Sequence, residues 1–132
     1  MIEISRVSHI GIRVADLARS QEFYRRFGFE LVAQGEADYV AILKSSRGIE
    51  INLIVNANGD NDGNNILMDI SPKYPGYTHV ALEISSIDQT VKALEDSGIP
   101  ISGGPMRLGE GMSLFIRDPD RNVIELRETI SS

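Results

Sequence analysis

The sequence predicts an α+β fold: two tandem βαβββ modules forming a curved mixed sheet, a half-barrel with helices on the outer face. Three observations carry that expectation. The stretch Ser8-His9-Ile10-Gly11-Ile12-Arg13-Val14 returns as Thr78-His79-Val80-Ala81-Leu82-Glu83-Ile84, both alternating with the period of a half-buried strand. The only two histidines of the chain occupy the same place in both copies. After each strand the apolar spacing changes from two to that of a helix, and then returns to strand-like runs.

Taken in order, each first strand is followed by a helix-capping residue, Asp16 or Ser86. Leu17, Phe23, Tyr24 and Phe27 then form one helical stripe, answered by Ile87, Val91 and Leu94. Gly28 and Gly98 stand where each helix must end in a residue of positive φ. Apolar strand starts follow, Phe29-Glu30-Leu31-Val32 and Ile99-Pro100-Ile101. Laid over each other without a gap, residues 8–31 and 78–101 share only His9/His79 and Gly28/Gly98, so the repeat rests on physical pattern rather than identity.

The rest of each module reads as a hairpin. Asp38 to Leu43 and Gly48 to Ile54 flank Ser45-Ser46-Arg47; Met112 to Arg117 and Asn122 to Arg127 flank Asp118-Pro119-Asp120-Arg121. Module one spans about 5–56 and module two about 76–129, within a single domain of residues 1–132. A unit of about 50 residues buries little of its own surface, so the two are expected to pair. The Asn-, Asp- and Gly-rich stretch opening the 57–75 segment reads as a flexible linker. It lacks the ligand spacing of a calcium loop. Ile66 to Ile70 reads as a short helix or a flap, and Gly109-Glu110-Gly111 as a mobile loop over an opening.

Composition narrows the function. A net charge of −6 argues against nucleic acid or an anionic membrane surface as partner. No apolar run is long enough for a membrane span, and the first residues lack the regions of a signal peptide, so the cytoplasm is the expected location. With no cysteine, thiolate catalysis and thiolate metal ligation are excluded.

The chemistry concentrates on four side chains. His9 and His79 open the two repeat strands, and Glu50 and Glu125 alternate with apolar neighbours on the last strand of each module. Period-two alternation sends those neighbours toward the core and the glutamates to the other face. Two imidazoles with two carboxylates suit a divalent ion such as Zn²⁺, Ni²⁺, Co²⁺, Mn²⁺ or Fe²⁺. Any one of the four alone is more often a hydrogen-bonded or solvated strand residue; their joint placement in the repeat favours a site. Arg13, on the strand face of His9, is a candidate substrate-binding anchor for an anion.

The chain resembles the vicinal oxygen chelate superfamily, which comprises glyoxalase I, extradiol dioxygenases, fosfomycin-resistance enzymes, epimerases and bleomycin-binding proteins. The resemblance rests on Ser8-His9-Ile10-Gly11, on Gly76-Tyr77-Thr78-His79-Val80-Ala81-Leu82, and on Asp118-Pro119-Asp120-Arg121-Asn122-Val123-Ile124-Glu125-Leu126. It implies His9, Glu50, His79 and Glu125 as metal ligands, with nickel, cobalt or zinc preferred over iron or manganese. A glutamate at position 50 is similar to glyoxalase I, implying a lyase of the lactoylglutathione type. Such an enzyme passes an α-hydroxycarbonyl thiol adduct, such as a glutathione adduct, through an enediolate. Glu125 is then the principal base, Glu50 its partner, and Arg13 the contact to a glutathione carboxylate. Glyoxalase I has asparagine four residues after the first-module glutamate, where this chain has Ile54, with Asn52 and Asn56 nearby. The alternatives within the resemblance are a ring-cleaving dioxygenase, an antibiotic-modifying thiol transferase and a non-enzymatic drug-binding resistance protein. A homodimer is also implied.

Overall fold

The computed structural model describes residues 1–35, 39–59 and 62–129. The chain divides into two compact units, Met1–Asp60 and Asn61–Ser132. Unit 1 contains β1 (Ile10–Val14), α1 (Leu17–Arg25), β2 (Glu30–Gln34), β3 (Val40–Lys44) and β4 (Glu50–Val55). Unit 2 contains β5 (His79–Glu83), α2 (Ile87–Asp96), β6 (Ile101–Leu108), β7 (Gly111–Arg117) and β8 (Val123–Thr129). Each unit thus runs β-α-β-β-β, as the repeat predicts. Each forms one four-stranded mixed sheet, in the orders β1-β4-β3-β2 and β5-β8-β7-β6. The first and last strands of a unit pair in parallel, which the intervening helix makes possible, and the other pairs are antiparallel.

Local chemistry sets the helix limits. The Asp16 carboxylate accepts the Arg19 amide at 2.9 Å and the Ser86 hydroxyl accepts the Gln89 amide at 3.1 Å. Each thereby satisfies an amide that the helix cannot. Gly28 and Gly98 follow the two helices at φ of +86° and +69°, which glycine adopts without steric penalty. Backbone bonds from Phe29 to Tyr24 and from Ile99 to Leu94 then return the chain to its next strand.

Alternation positions the site. Ile12 and Val14 of β1 and Ile51 and Leu53 of β4 are buried, with Tyr24, Ala41 and Leu43 completing this part of the core. His9, Gly11 and Arg13 take the opposite, exposed face, as do His79, Ala81 and Glu83 on β5. Unit 2 buries Leu94, Leu114, Ile116, Ile124 and Leu126.

Two expectations change. The segment read as a flexible linker is tied to unit 2 from Gly63 onward. Asn65 accepts the amides of Leu67 and Met68, its own amide donates to Asp69, and Arg117 grips Asp69 through two bonds of 2.8 and 2.9 Å. Arg121 donates to the Gly63 carbonyl and Lys73 to that of Met68. The Arg117 guanidinium, seconded by the Asn65 amide, holds the Asp69 carboxyl well below the usual carboxylate range. Gly109-Glu110 is a tight hairpin turn rather than a lid, because Leu108 and Gly111 already pair across it. Asp38 of the predicted first hairpin, and Asp60 and Asn61 of the predicted linker, lie outside the described residues.

Candidate metal centre

In unit 2, His79 and Glu125 meet. His79 begins β5, and Glu125 lies two positions along the parallel partner strand, since His79 pairs with Val123 and Ala81 with Glu125. The small side chain of Ala81 leaves the diagonal open, and His79 Nε2 stands 3.1 Å from Glu125 Oε1. The ring is oriented from two further sides. The Thr78 hydroxyl lies 2.8 Å from Nδ1, and the Phe115 ring packs edge-on with its centroid 5.7 Å away. The carboxylate is fixed as well: Ser113 Oγ donates to Glu125 Oε2 at 2.7 Å. Arg127 Nη1 donates to that hydroxyl oxygen at 3.0 Å, and its Nη2 to the Leu108 carbonyl at 2.7 Å. Glu125 is only 7% exposed, so a full set of partners is what makes its burial tolerable.

Unit 1 is looser. His9 immediately precedes β1, its Nδ1 3.0 Å from the Ser8 hydroxyl and 3.9 Å from Glu50 Oε2. Glu50 opens β4 and also lies 3.6 Å from Lys44. Arg13, read from the sequence as an anion anchor, donates to the Asn56 side-chain oxygen at 2.9 Å.

Strand register corrects the equivalence between the two glutamates. Gly11 pairs with Asn52 in unit 1 as Ala81 pairs with Glu125 in unit 2. Across the hairpin, Ile42 pairs with Asn52 as Phe115 pairs with Glu125. The residue standing where Glu125 stands is therefore Asn52, and Glu50 corresponds to Val123. An ungapped overlay of the repeats misses this, because the segments joining β1 to β4 and β5 to β8 differ in length. The same register sets Val40 in the place of Ser113, and the buried Asn52 Oδ1 has no hydrogen-bond partner among the described residues. Sequence reading noted Asn52 only as a neighbour of Ile54 and passed over Ser113. The available signal was polarity in otherwise apolar strands.

Imidazole nitrogen beside carboxylate oxygen is a donor pair suited to a borderline divalent cation. Thr78 has the placement of an outer partner that fixes a metal-binding histidine through its second nitrogen. Among the described residues, no three His, Asp or Glu side chains stand close enough together to hold a metal ion.

The sequence profile of the Glyoxalase/Bleomycin resistance protein/Dioxygenase superfamily matches residues 6–126. A probable lactoylglutathione lyase of Synechocystis sp. is 32% identical over 136 residues, covering 93% of this chain and 95% of its own length. The crystal structure of a virulence protein of Salmonella typhimurium, 28% identical, matches with a TM-score of 0.71 over 98% of this chain and 100% of its own. A glyoxylase/bleomycin resistance protein/dioxygenase domain from Frankia sp. matches at 0.77 over 98% and 96% of the two chains; at 23% identity that likeness is one of fold.

Proposed function

This chain belongs to the Glyoxalase/Bleomycin resistance protein/Dioxygenase superfamily, and on that premise we propose that it is a metal-dependent lyase of the lactoylglutathione type. The observation that carries this reading is the oriented His79–Glu125 pair, with its 3.1 Å separation and its Thr78 and Ser113 supports. In unit 2, His79 and Glu125 would serve as donors to a divalent ion, and in unit 1 His9 and Glu50, the carboxylate nearest it, would do so. A divalent cation held there supplies Lewis-acid stabilisation where negative charge develops on a substrate oxygen.

The chain's own residues then do the following. Glu125 takes the proton from the carbon beside the substrate carbonyl through Oε1, the oxygen turned toward His79. Ser113 holds Oε2, so the carboxylate pivots about a fixed point instead of wandering. Glu50 returns a proton on the neighbouring carbon, and Arg13, presented by Asn56, meets a carboxylate of the substrate's thiol portion. The Synechocystis relative supports this substrate class.

The test is elemental analysis of the purified chain, coupled to turnover of the adduct of methylglyoxal and glutathione. The expected result is about one Ni²⁺, Co²⁺ or Zn²⁺ per chain together with product formation. Stoichiometric metal without turnover discards the substrate and keeps the centre. A chain that stays metal-free after reconstitution belongs with the non-enzymatic drug-binding reading.

One observation favours a second reading. With Asn52 in the register of Glu125, the donors reduce to two histidines and one carboxylate, a set that serves iron(II) oxygenases. A ring-cleaving dioxygenase would consume oxygen with a catechol once loaded with Fe²⁺. The thiol-adduct lyase would not.

A further inference from the structure

We infer that Arg127 is a positioning residue for Glu125: by donating to the Ser113 oxygen it turns the Ser113 hydrogen onto Glu125 Oε2 and leaves Oε1 as the working oxygen. The inference rests on the reading of Glu125 as the base, and it lies wholly within unit 2. Arg127 reaches Glu125 through an intermediary. Its Nη1 is 3.8 Å from Glu125 Oε2, beyond hydrogen-bond range, but 3.0 Å from Ser113 Oγ, which in turn lies 2.7 Å from that same carboxylate oxygen. A guanidinium can only donate and a carboxylate only accept, whereas a hydroxyl turns between the two roles. With Nη1 on one side of Ser113 Oγ, the hydroxyl hydrogen is driven to the other side, where Glu125 Oε2 stands. Linked bonds of this kind polarise one another, and the short Ser113–Glu125 distance agrees with a charge-assisted bond. Ser113 is fully buried, so bulk solvent does not compete for its hydrogen.

Two further observations set this arginine apart from one that merely ties a hairpin to its neighbour. The first is that the guanidinium sits in a built seat. Its Nη2 donates to the Leu108 carbonyl at 2.7 Å, and a methyl group placed on Gly111 would come within 2.9 Å of both Cζ and Nη2. That methyl would also stand 2.7 Å from the Glu128 carbonyl oxygen, so the seat depends on a residue without a side chain. The glycine-flanked turn at 109–111 thus has a task of its own, which is to hold the guanidinium still. The second observation is the restriction of the relay to the unit that carries the acid. In unit 1, Val40 pairs with Ile54 where Ser113 pairs with Arg127, and both links are missing where Asn52 stands for Glu125. A tie between hairpin and last strand would serve both units alike; a relay of donors is needed only behind a carboxylate. With Oε2 held, the oxygen 3.1 Å from His79 Nε2 is the one free to meet a cation or to take a substrate proton.

The experiment uses the full-length chain, stripped of metal by chelation and titrated with Co²⁺ by calorimetry and visible absorption, as the parent, Arg127→Met, Ser113→Ala and the double variant. Arg127→Met keeps an aliphatic stem and removes both donors. In the parent background it is expected to weaken Co²⁺ binding by about tenfold, the low end for losing an outer-shell partner, and to alter the cobalt absorption bands. In the Ser113→Ala background it is expected to change binding by about twofold or less, because residues that act through one contact are not additive. Arg127→Lys keeps a donor for Ser113 and is expected to stay within about threefold of the parent. Thermal melts establish that each variant is folded. With the thiol adduct as substrate, Arg127→Met is expected to lower kcat and leave KM nearly unchanged, as befits an interaction that serves the reaction rather than binding. Equal losses from Arg127→Met in both backgrounds, no loss in either, or an Arg127→Lys chain as weak as Arg127→Met would overturn the inference and leave the metal centre standing. A parent that binds Co²⁺ without turning over the adduct removes the lyase reading alone, and the cobalt titrations then decide the role of Arg127. A parent that binds Co²⁺ no better than His79→Ala removes the centre, and this inference with it.

Discussion

The histidine-bearing strands of the two units are built alike and finished differently. In unit 2 every polar atom around Glu125 has a partner: Oε2 takes the Ser113 hydroxyl, Ser113 takes Arg127, and Arg127 reaches the Leu108 carbonyl. In unit 1 the chain of partners is absent at the matching place, where Val40 stands for Ser113 and Ile54 for Arg127. The side chain there is an amide whose buried oxygen has no partner among the described residues. Duplication therefore preserved the backbone frame and the histidine while the two carboxylate positions diverged. A buried carboxylate needs hydrogen-bond donors to be tolerable. A neutral amide needs fewer, so loss of the serine and the arginine and loss of the acid belong together.

That contrast is open to direct attack. The largest effect is expected from removing the base: Glu125→Gln should lower turnover of the accepted substrate by about 10²–10⁴-fold, the usual worth of positioned acid–base help. Glu50→Gln, which removes the proposed partner acid, should lower it too but by a smaller factor, because the Glu50 carboxylate stands two residues along β4 from the Glu125 position. Equal losses in steady-state assays would erase the distinction between the units.

Next in size is the support behind Glu125. Ser113→Ala should weaken metal binding by about 10–100-fold, the range for losing an outer-shell partner, and should leave Arg127 held only through the Leu108 carbonyl. The reciprocal change, Val40→Ser, gives unit 1 a hydroxyl where it has none, and is expected to alter metal affinity less than threefold. Calorimetric titration of both variants reads the pair together, and a Val40→Ser effect as large as that of Ser113→Ala would show that the two positions are not inequivalent after all.

The tethered 63–73 segment of unit 2 offers a stability test. Asp69→Asn removes the two-bond grip of Arg117 and is expected to cost about 1–2 kcal/mol, allowing for its partial exposure, or roughly 4–8 °C in Tm. The native carboxyl of Asp69 is depressed, so its stabilisation is fully present above the ordinary carboxylate value of about 4. It is lost as pH falls below that value toward the native one. The Tm gap between the parent and Asp69→Asn should accordingly be constant near neutrality and shrink in strong acid; a gap independent of pH would locate its cause elsewhere. The smallest effect is expected at Lys44: its pair with Glu50 is half-exposed, and Lys44→Ala should move Tm by less than about 2 °C.

Much of the fold was legible before any coordinates. The histidine strands, the Asp16 and Ser86 caps, the glycine terminators at 28 and 98, and the turn at 118–121 all follow from short-range chemistry, and all appear where the pattern put them. The tethering of 63–73 was not legible. A run of Asn, Asp and Gly looks the same free or held, and what holds this one, Arg117 and Arg121, lies more than forty residues away.

The amino-acid sequence by itself determined the two βαβββ units, the histidine at the head of each, and the acidic partner Glu125, because alternation, capping and turn chemistry act between residues close along the chain. Only the tertiary structure decided which residue of β4 answers to Glu125. That choice belongs to the register between strands, set by hydrogen bonds across the sheet and by connections of unequal length, and a slip of two residues keeps every side chain on its face while exchanging a glutamate for an asparagine.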